Sequence, residues 1–160
     1  MIVSCAIKLD NNEHRRSYMN AVVRWVDGLQ FVGTGKSGHG VLIDTDRDVN
    51  GFDAAARPGE LLLLSLGGCS GMDVVSILNR MQVAFDRFEV GLKAERRAEY
   101  PKSFEKIEMI YRIWGEEINA TKLEKAIDLS MERYCMVAHT LNSQVQLSHR
   151  YEINPDRRTE

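Results

Sequence analysis

With 160 residues, 44% of them apolar and 28% charged, the chain has the length and composition of one globular domain with a buried core. Its formal charge of −2, with Lys and Arg scattered, excludes the basic field that holds nucleic acid or an anionic membrane. No basic segment leads into a long apolar one near Met1, and an uninterrupted apolar run such as Leu61 to Leu64 is far short of a bilayer span. A cytoplasmic location is therefore the expectation.

In chain order, Met19, Ala21, Val23 and Trp25 alternate with more polar neighbours, and Asp27-Gly28 is a hairpin turn leading into a second strand over Leu29 to Val32. A glycine-punctuated strand follows around His39 to Ile43, and the polar stretch Asp44 to Ala56 reads as an exposed loop. Asp44-Thr45-Asp46-Arg47-Asp48 has neither the central glycine nor the closing glutamate of a calcium loop. Proline suits the first position of a helix, so the apolar segment from Pro58 through Leu66 to Met81 starts one, with Glu60 in its first turn. Leu61, Leu62, Leu63, Leu64 and Leu66 leave it no polar face, which predicts a helix buried on all sides. Gly67-Gly68 inside it implies a kink or a closely packed neighbour.

Phe88, Val90, Leu92 and Ala94 form one alternating strand, and Ile107, Met109, Tyr111 and Ile113 another. Thr121-Lys122-Leu123-Glu124 fits a capping box, so a second helix is expected from there towards Tyr134-Cys135. Val145, Leu147, His149, Tyr151 and Ile153 close the chain as a half-buried strand. The order is strands, helix, two strands, helix, strand: an α+β fold with mostly antiparallel pairing, in one domain over residues 1–160 with 1–18 and 154–160 peripheral. An all-apolar helix is hard to cover with one small sheet, which leads to the expectation of a homodimer.

Three cysteines in such a chain do not suggest a disulfide framework. Cys69 sits among small residues in Gly67-Gly68-Cys69-Ser70-Gly71, open to approach along the chain. An apolar helix would hold its pKa above the free value of about 8.5 unless a cation or a helix N-terminus favours the thiolate. Cys135, in Glu132-Arg133-Tyr134-Cys135-Met136, lies one helical turn before His139, a spacing that fits a metal pair or a nucleophile and base. No third ligand is visible, so no metal is expected. Both thiols are equally readable as core packing, and Cys5 has nothing to distinguish it.

Two segments resemble a known family. Pro58-Gly59-Glu60 through Gly67-Gly68-Cys69-Ser70-Gly71-Met72-Asp73-Val74-Val75 is similar to the central helix of the OsmC/Ohr family, in its YhfA-like branch, and Glu132-Arg133-Tyr134-Cys135 resembles that family's second cysteine motif. The likeness runs from about Met19 to Ile153. It implies antiparallel sheets around two central helices in an intertwined homodimer. It implies a peroxidatic Cys69 and a resolving Cys135 that reduce small organic hydroperoxides in oxidative-stress defence. No bound cofactor is implied; an external dithiol such as a lipoyl group would reset the pair. The family places a glutamate directly after the motif proline, where this chain has Gly59, with Glu60 one position later. It also pairs that glutamate with an arginine, for which Arg57, Arg24 and Lys36 are the candidates here.

Two other readings stand beside the peroxidase. One is a non-enzymatic module of the same fold that binds an apolar ligand or senses redox state at a dimer interface. The other is a hydrolase built on Cys135 and His139.

Overall fold

The computed structural model describes residues 18–141 and 144–156. Cys5 and nearly all of the peripheral segment 1–18 lie outside the described residues, as does the tail beyond Asp156. The chain forms two compact units that divide between Arg57 and Pro58, a subdivision that its even composition does not signal.

The first unit is an antiparallel meander of β1 (Ala21–Asp27), β2 (Gln30–Gly35) and β3 (Gly40–Ile43). The Asp27-Gly28 turn forms as the sequence predicts: Gly28 takes a positive φ of 50°, and its N–H bonds to Asp27 Oδ1 at 2.8 Å. The loop after β3 is more than a solvated stretch. Asp44 is buried, and its carboxylate accepts N–H groups from Thr45, Phe52 and Ala54 at 2.8, 3.2 and 3.1 Å. Burial pushes the Asp44 carboxyl up, but these bonds outweigh it and hold it below its ordinary value.

The second unit carries α1 (Pro58–Arg80), a sheet ordered β4 (Arg87–Arg96), β5 (Phe104–Trp114) and β6 (Gln146–Ile153), and two further helices, α2 (Ala120–Leu129) and α3 (Met136–Leu141). Two three-stranded sheets with three helices bear out the α+β reading. β4 pairs antiparallel with β5, whereas β6 joins β5 in parallel after the helical crossover. Register puts Leu92, Met109 and His149 in one row and Val90, Tyr111 and Tyr151 in the next. Ile107, Met109, Tyr111 and Ile113 are all fully buried on that face.

α1 is long and apolar enough to cross a membrane, alone among the helices of the described residues. Leu66, Val74 and Leu78 are nevertheless buried in the unit's core with Leu123 and Ile127 of α2. The helix runs unbroken through Gly67-Gly68, and a closely packed neighbour accounts for the first glycine: a Cβ on Gly67 would lie 2.7 Å from Leu92 Cδ1. It is not buried on all sides, however. Leu64 and Met72 are 62% and 71% exposed, since one three-stranded sheet and two short helices cover only part of its surface.

The second helix also differs from its sequence reading. Asn119, not Thr121, is its N-cap, accepting the Lys122 N–H at 3.0 Å with extended backbone at ψ 107°. The helix ends at Leu129 rather than at Cys135, and a π turn over Ser130–Tyr134 follows.

Candidate active site

The centre of the second unit is where α1, β5 and the π turn meet. Ser70 of α1 is fully buried, and its hydroxyl lies 2.5 Å from the Tyr111 hydroxyl and 2.9 Å from that of Ser130. Ser130 Oγ in turn reaches Asp73 Oδ2 at 3.2 Å. A carboxylate only accepts, so the protons run one way: Tyr111 donates to Ser70, Ser70 to Ser130 and Ser130 to Asp73. Burial raises the Tyr111 phenol to about 12, which keeps it protonated as the first donor. The sulfurs of Met109 and Met131 close the surround, at 3.8 and 3.5 Å from the Tyr111 oxygen. Among the described residues no buried side-chain polar atom lacks a partner. The network therefore fixes α1 against the π turn at the point where the two cysteines meet.

The π turn decides where Cys135 goes. The Cys135 N–H bonds to the Ser130 carbonyl at 2.8 Å, five residues back, so one residue is inserted into the helical ladder. Cys135 itself is extended, with ψ at 97°, and caps α3: its Sγ accepts the Ala138 N–H at 3.4 Å. It is wholly buried, whereas Cys69 on α1 is half-buried. Cys69 Sγ, Cys135 Sγ and an Asp73 carboxylate oxygen all lie within 4.8 Å of one another. Burial raises the Cys135 thiol to about 11, and its hydrogen bond with Cys69 and that neighbour's charge push it the same way.

The remaining sequence candidates are Glu60, Arg57, Arg24, Lys36 and the Cys135–His139 pair. Glu60 is exposed in the first turn of α1. Nine residues of α-helix separate it from Cys69, which is a rise of about 13 Å and half a turn to the opposite face. Arg57 belongs to the first unit, where its guanidinium pairs with Asp46 and, at 3.1 Å, with Asp53. Arg24, on β1, and Lys36 are exposed in the same unit. Cys135 and His139 do not form a thiol–imidazole pair. Extended backbone at Cys135 breaks the helix they were expected to share, and His139 is exposed while the thiol is buried. Only backbone joins them, His139 N–H to Cys135 carbonyl at 3.1 Å.

Asp73 is the site residue that the sequence reading passed over. Its signal was present, because the four-residue step from Cys69 to Asp73 on a helix puts both on one face. Ser70, Tyr111 and Ser130 gave no such signal, since Tyr111 and Ser130 lie 41 and 60 residues from Ser70 and are joined to it only by the fold.

The family model for OsmC-like proteins matches residues 51–150 of this chain, which takes in both cysteines. The chain belongs to the OsmC family. It is 41% identical to Protein YhfA of Escherichia coli K12 over 135 residues, 84% of this chain and 98% of that one. Among solved structures, a hypothetical protein from Aquifex aeolicus superposes with a TM-score of 0.77 at 27% identity, covering 89% of this chain and all of the other. An organic hydroperoxide resistance protein OsmC from Legionella pneumophila superposes with a TM-score of 0.65 over 85% of this chain and 97% of its own. At 14% identity, that likeness is one of fold.

Proposed function

We propose that the chain is a two-cysteine thiol peroxidase acting on organic hydroperoxides, with Cys69 as the attacking and Cys135 as the resolving residue. The observation that carries the reading is the meeting of a half-buried thiol and a fully buried one within 4.8 Å, from segments 66 residues apart in sequence (135 − 69). The Legionella neighbour's name gives the substrate class.

The chemistry is short. Cys69 as thiolate attacks the outer oxygen of the O–O bond, which breaks to leave a sulfenic acid on Cys69 and an alkoxide that takes a proton and departs as the alcohol. Cys135 attacks the Cys69 sulfur, and water leaves as the disulfide forms. The sulfurs then close to about 2.05 Å, and an external dithiol returns both thiols by exchange. Burial of Cys135 suits the second role: a thiol held near 11 is no first attacker at neutral pH, and it gains its partner only after Cys69 has been oxidised. This reading includes a cytoplasmic homodimer and no bound cofactor.

A second reading, a non-enzymatic module for an apolar ligand, is favoured by a groove of about 480 Å³ between α1 and β4, lined by Leu64, Met72, Val75, Phe88 and Leu92. Mass spectrometry separates the two. One equivalent of cumene hydroperoxide is expected to convert the reduced protein to a Cys69–Cys135 disulfide, and to leave sulfenic acid on Cys69 in Cys135→Ser. Two free thiols after minutes, or hydroperoxide consumption that survives Cys69→Ser, would reject the peroxidase.

A further inference from the structure

The sequence offers two thiols and no third metal ligand. The fold supplies one. Asp73, one turn along α1 from Cys69, brings its carboxylate to within 4.8 Å of both sulfurs. We propose that the reduced protein binds one zinc ion per chain through Cys69 Sγ, Asp73 and Cys135 Sγ, and that disulfide formation abolishes the site.

The donor set selects the ion. Two thiolates with one carboxylate match a borderline-soft divalent cation rather than magnesium or calcium, which take oxygen ligands throughout. A tetrahedral zinc with Zn–S near 2.3 Å sets its sulfurs about 3.8 Å apart, so the cluster contracts by roughly 1 Å at most to close on the ion. Three protein ligands leave the fourth position to water.

The surround is that of a metal site as well. The Ser130 hydroxyl holds Asp73 Oδ2 at 3.2 Å, which orients the carboxylate and still leaves it acceptor capacity to ligate. The Ala138 N–H directed at Cys135 Sγ at 3.4 Å stabilises charge on that sulfur. Both contacts come from the π turn and the start of α3, the segment that places Cys135. The metal-binding assembly is thus fixed by the same backbone insertion.

The two states exclude each other, because zinc and the disulfide use the same two sulfurs. The release reaction balances as a zinc-bound dithiolate, one hydroperoxide and two protons giving disulfide, alcohol, water and free zinc. The two thiolates are oxidised, the O–O bond is reduced, and the ion leaves with its charge unchanged. Zinc binding stands on the cluster alone; its expulsion by hydroperoxide rests on the peroxidase reading.

The test uses the untagged full chain, reduced, stripped by chelator and kept under argon. Titration with Co²⁺ is expected to give a thiolate-to-cobalt charge-transfer band and tetrahedral visible bands that saturate at one ion per chain and vanish on adding Zn²⁺. Protein oxidised with diamide is expected to give no band. Cys69→Ser is expected to lose the charge-transfer band or most of its intensity. Asp73→Asn keeps the size of the side chain, and near-ultraviolet circular dichroism checks its fold; it is expected to bind at least roughly 10-fold more weakly, since a ligand matters no less than the outer-shell partners whose loss costs that much. No band in reduced wild-type protein, an unchanged band in Cys69→Ser, or wild-type affinity in Asp73→Asn would overturn the site. Peroxide-driven disulfide formation without metal binding rejects this inference and leaves the peroxidase standing. Zinc binding in a protein indifferent to hydroperoxide does the reverse.

Discussion

The two thiols differ chiefly in what surrounds them, and that difference has a consequence for stability. Burial and the neighbouring Cys69 hold Cys135 near 11, and burial holds Tyr111 near 12. Below an ordinary thiol's pKa of about 8.5 the folded and unfolded chains are both protonated at Cys135, so this residue adds no pH dependence there. Above that value the unfolded chain gives up the proton while the folded chain retains it, so folding stability falls as pH rises towards 11. Tyr111 extends the fall from about pH 10. Denaturant melts of the reduced protein across pH 8–11 are expected to show this decline, and Cys135→Ala to flatten its lower part. A wild-type stability that is level to pH 11 would remove the buried, protonated Cys135. At this scale the sequence was legible where chemistry is local: both cysteines and their motifs could be read off, and Asp73 lay one turn away. The Tyr111–Ser70–Ser130 relay was not, because a serine's burial depends on which strand the fold sets against it.

The elements show where propensity decided the structure and where packing overrode it. The strands and α1 could be read from alternation and an apolar run, whereas the π turn could not. Ser130 to Tyr134 have ordinary helical composition, and the inserted residue shows only in the hydrogen bond that Cys135 makes five residues back. Thr121 fits a capping box as well as Asn119 fits a simple cap, and the backbone at Asn119 decides between them. The glycines of α1 give a test of packing against propensity. A Cβ on Gly71 would meet Val90 Cγ2 at 3.4 Å, an ordinary contact, whereas one on Gly67 would press on Leu92 Cδ1 at 2.7 Å. Both substitutions by alanine gain the same helical propensity, about 1 kcal/mol. Gly71→Ala is therefore expected to raise the urea midpoint and Gly67→Ala to fall below it, by an amount that reports how far Leu92 can move. Equal midpoints would mean that the close approach of α1 to β4 has no energetic weight.

At the scale of the molecule, apolar side chains are left exposed on both units. Leu64, Gly68 and Met72 recur every four residues down one exposed side of α1, beside a groove walled by Phe88, Val90 and Leu92. In the other unit every residue of β1 is exposed, including Val23 at 58% and Trp25 at 64%. A three-stranded sheet needs a hydrophobic face packed on something to persist in water, and contiguous exposed apolar patches of this kind mark association surfaces. A second copy of the chain is the cover proposed here, since an isologous pair would bury the α1 stripe of each subunit at once. In sedimentation velocity at micromolar concentration the wild-type protein is expected to run at twice the chain mass. Met72→Glu puts a charge on the stripe at its most exposed residue, where an unpaired carboxylate buried by a partner costs several kcal/mol, and is expected to shift the protein to monomer. Arg87→Ala, on a side chain that pairs with Glu89 within its own sheet, serves as the control and is expected to leave the dimer intact. If Met72→Glu sediments as wild type, the stripe is not the dimer face. If Met72→Glu is monomeric yet still forms the Cys69–Cys135 disulfide at the wild-type rate, each subunit carries a complete reaction centre, which is what the meeting of both thiols within one chain leads one to expect.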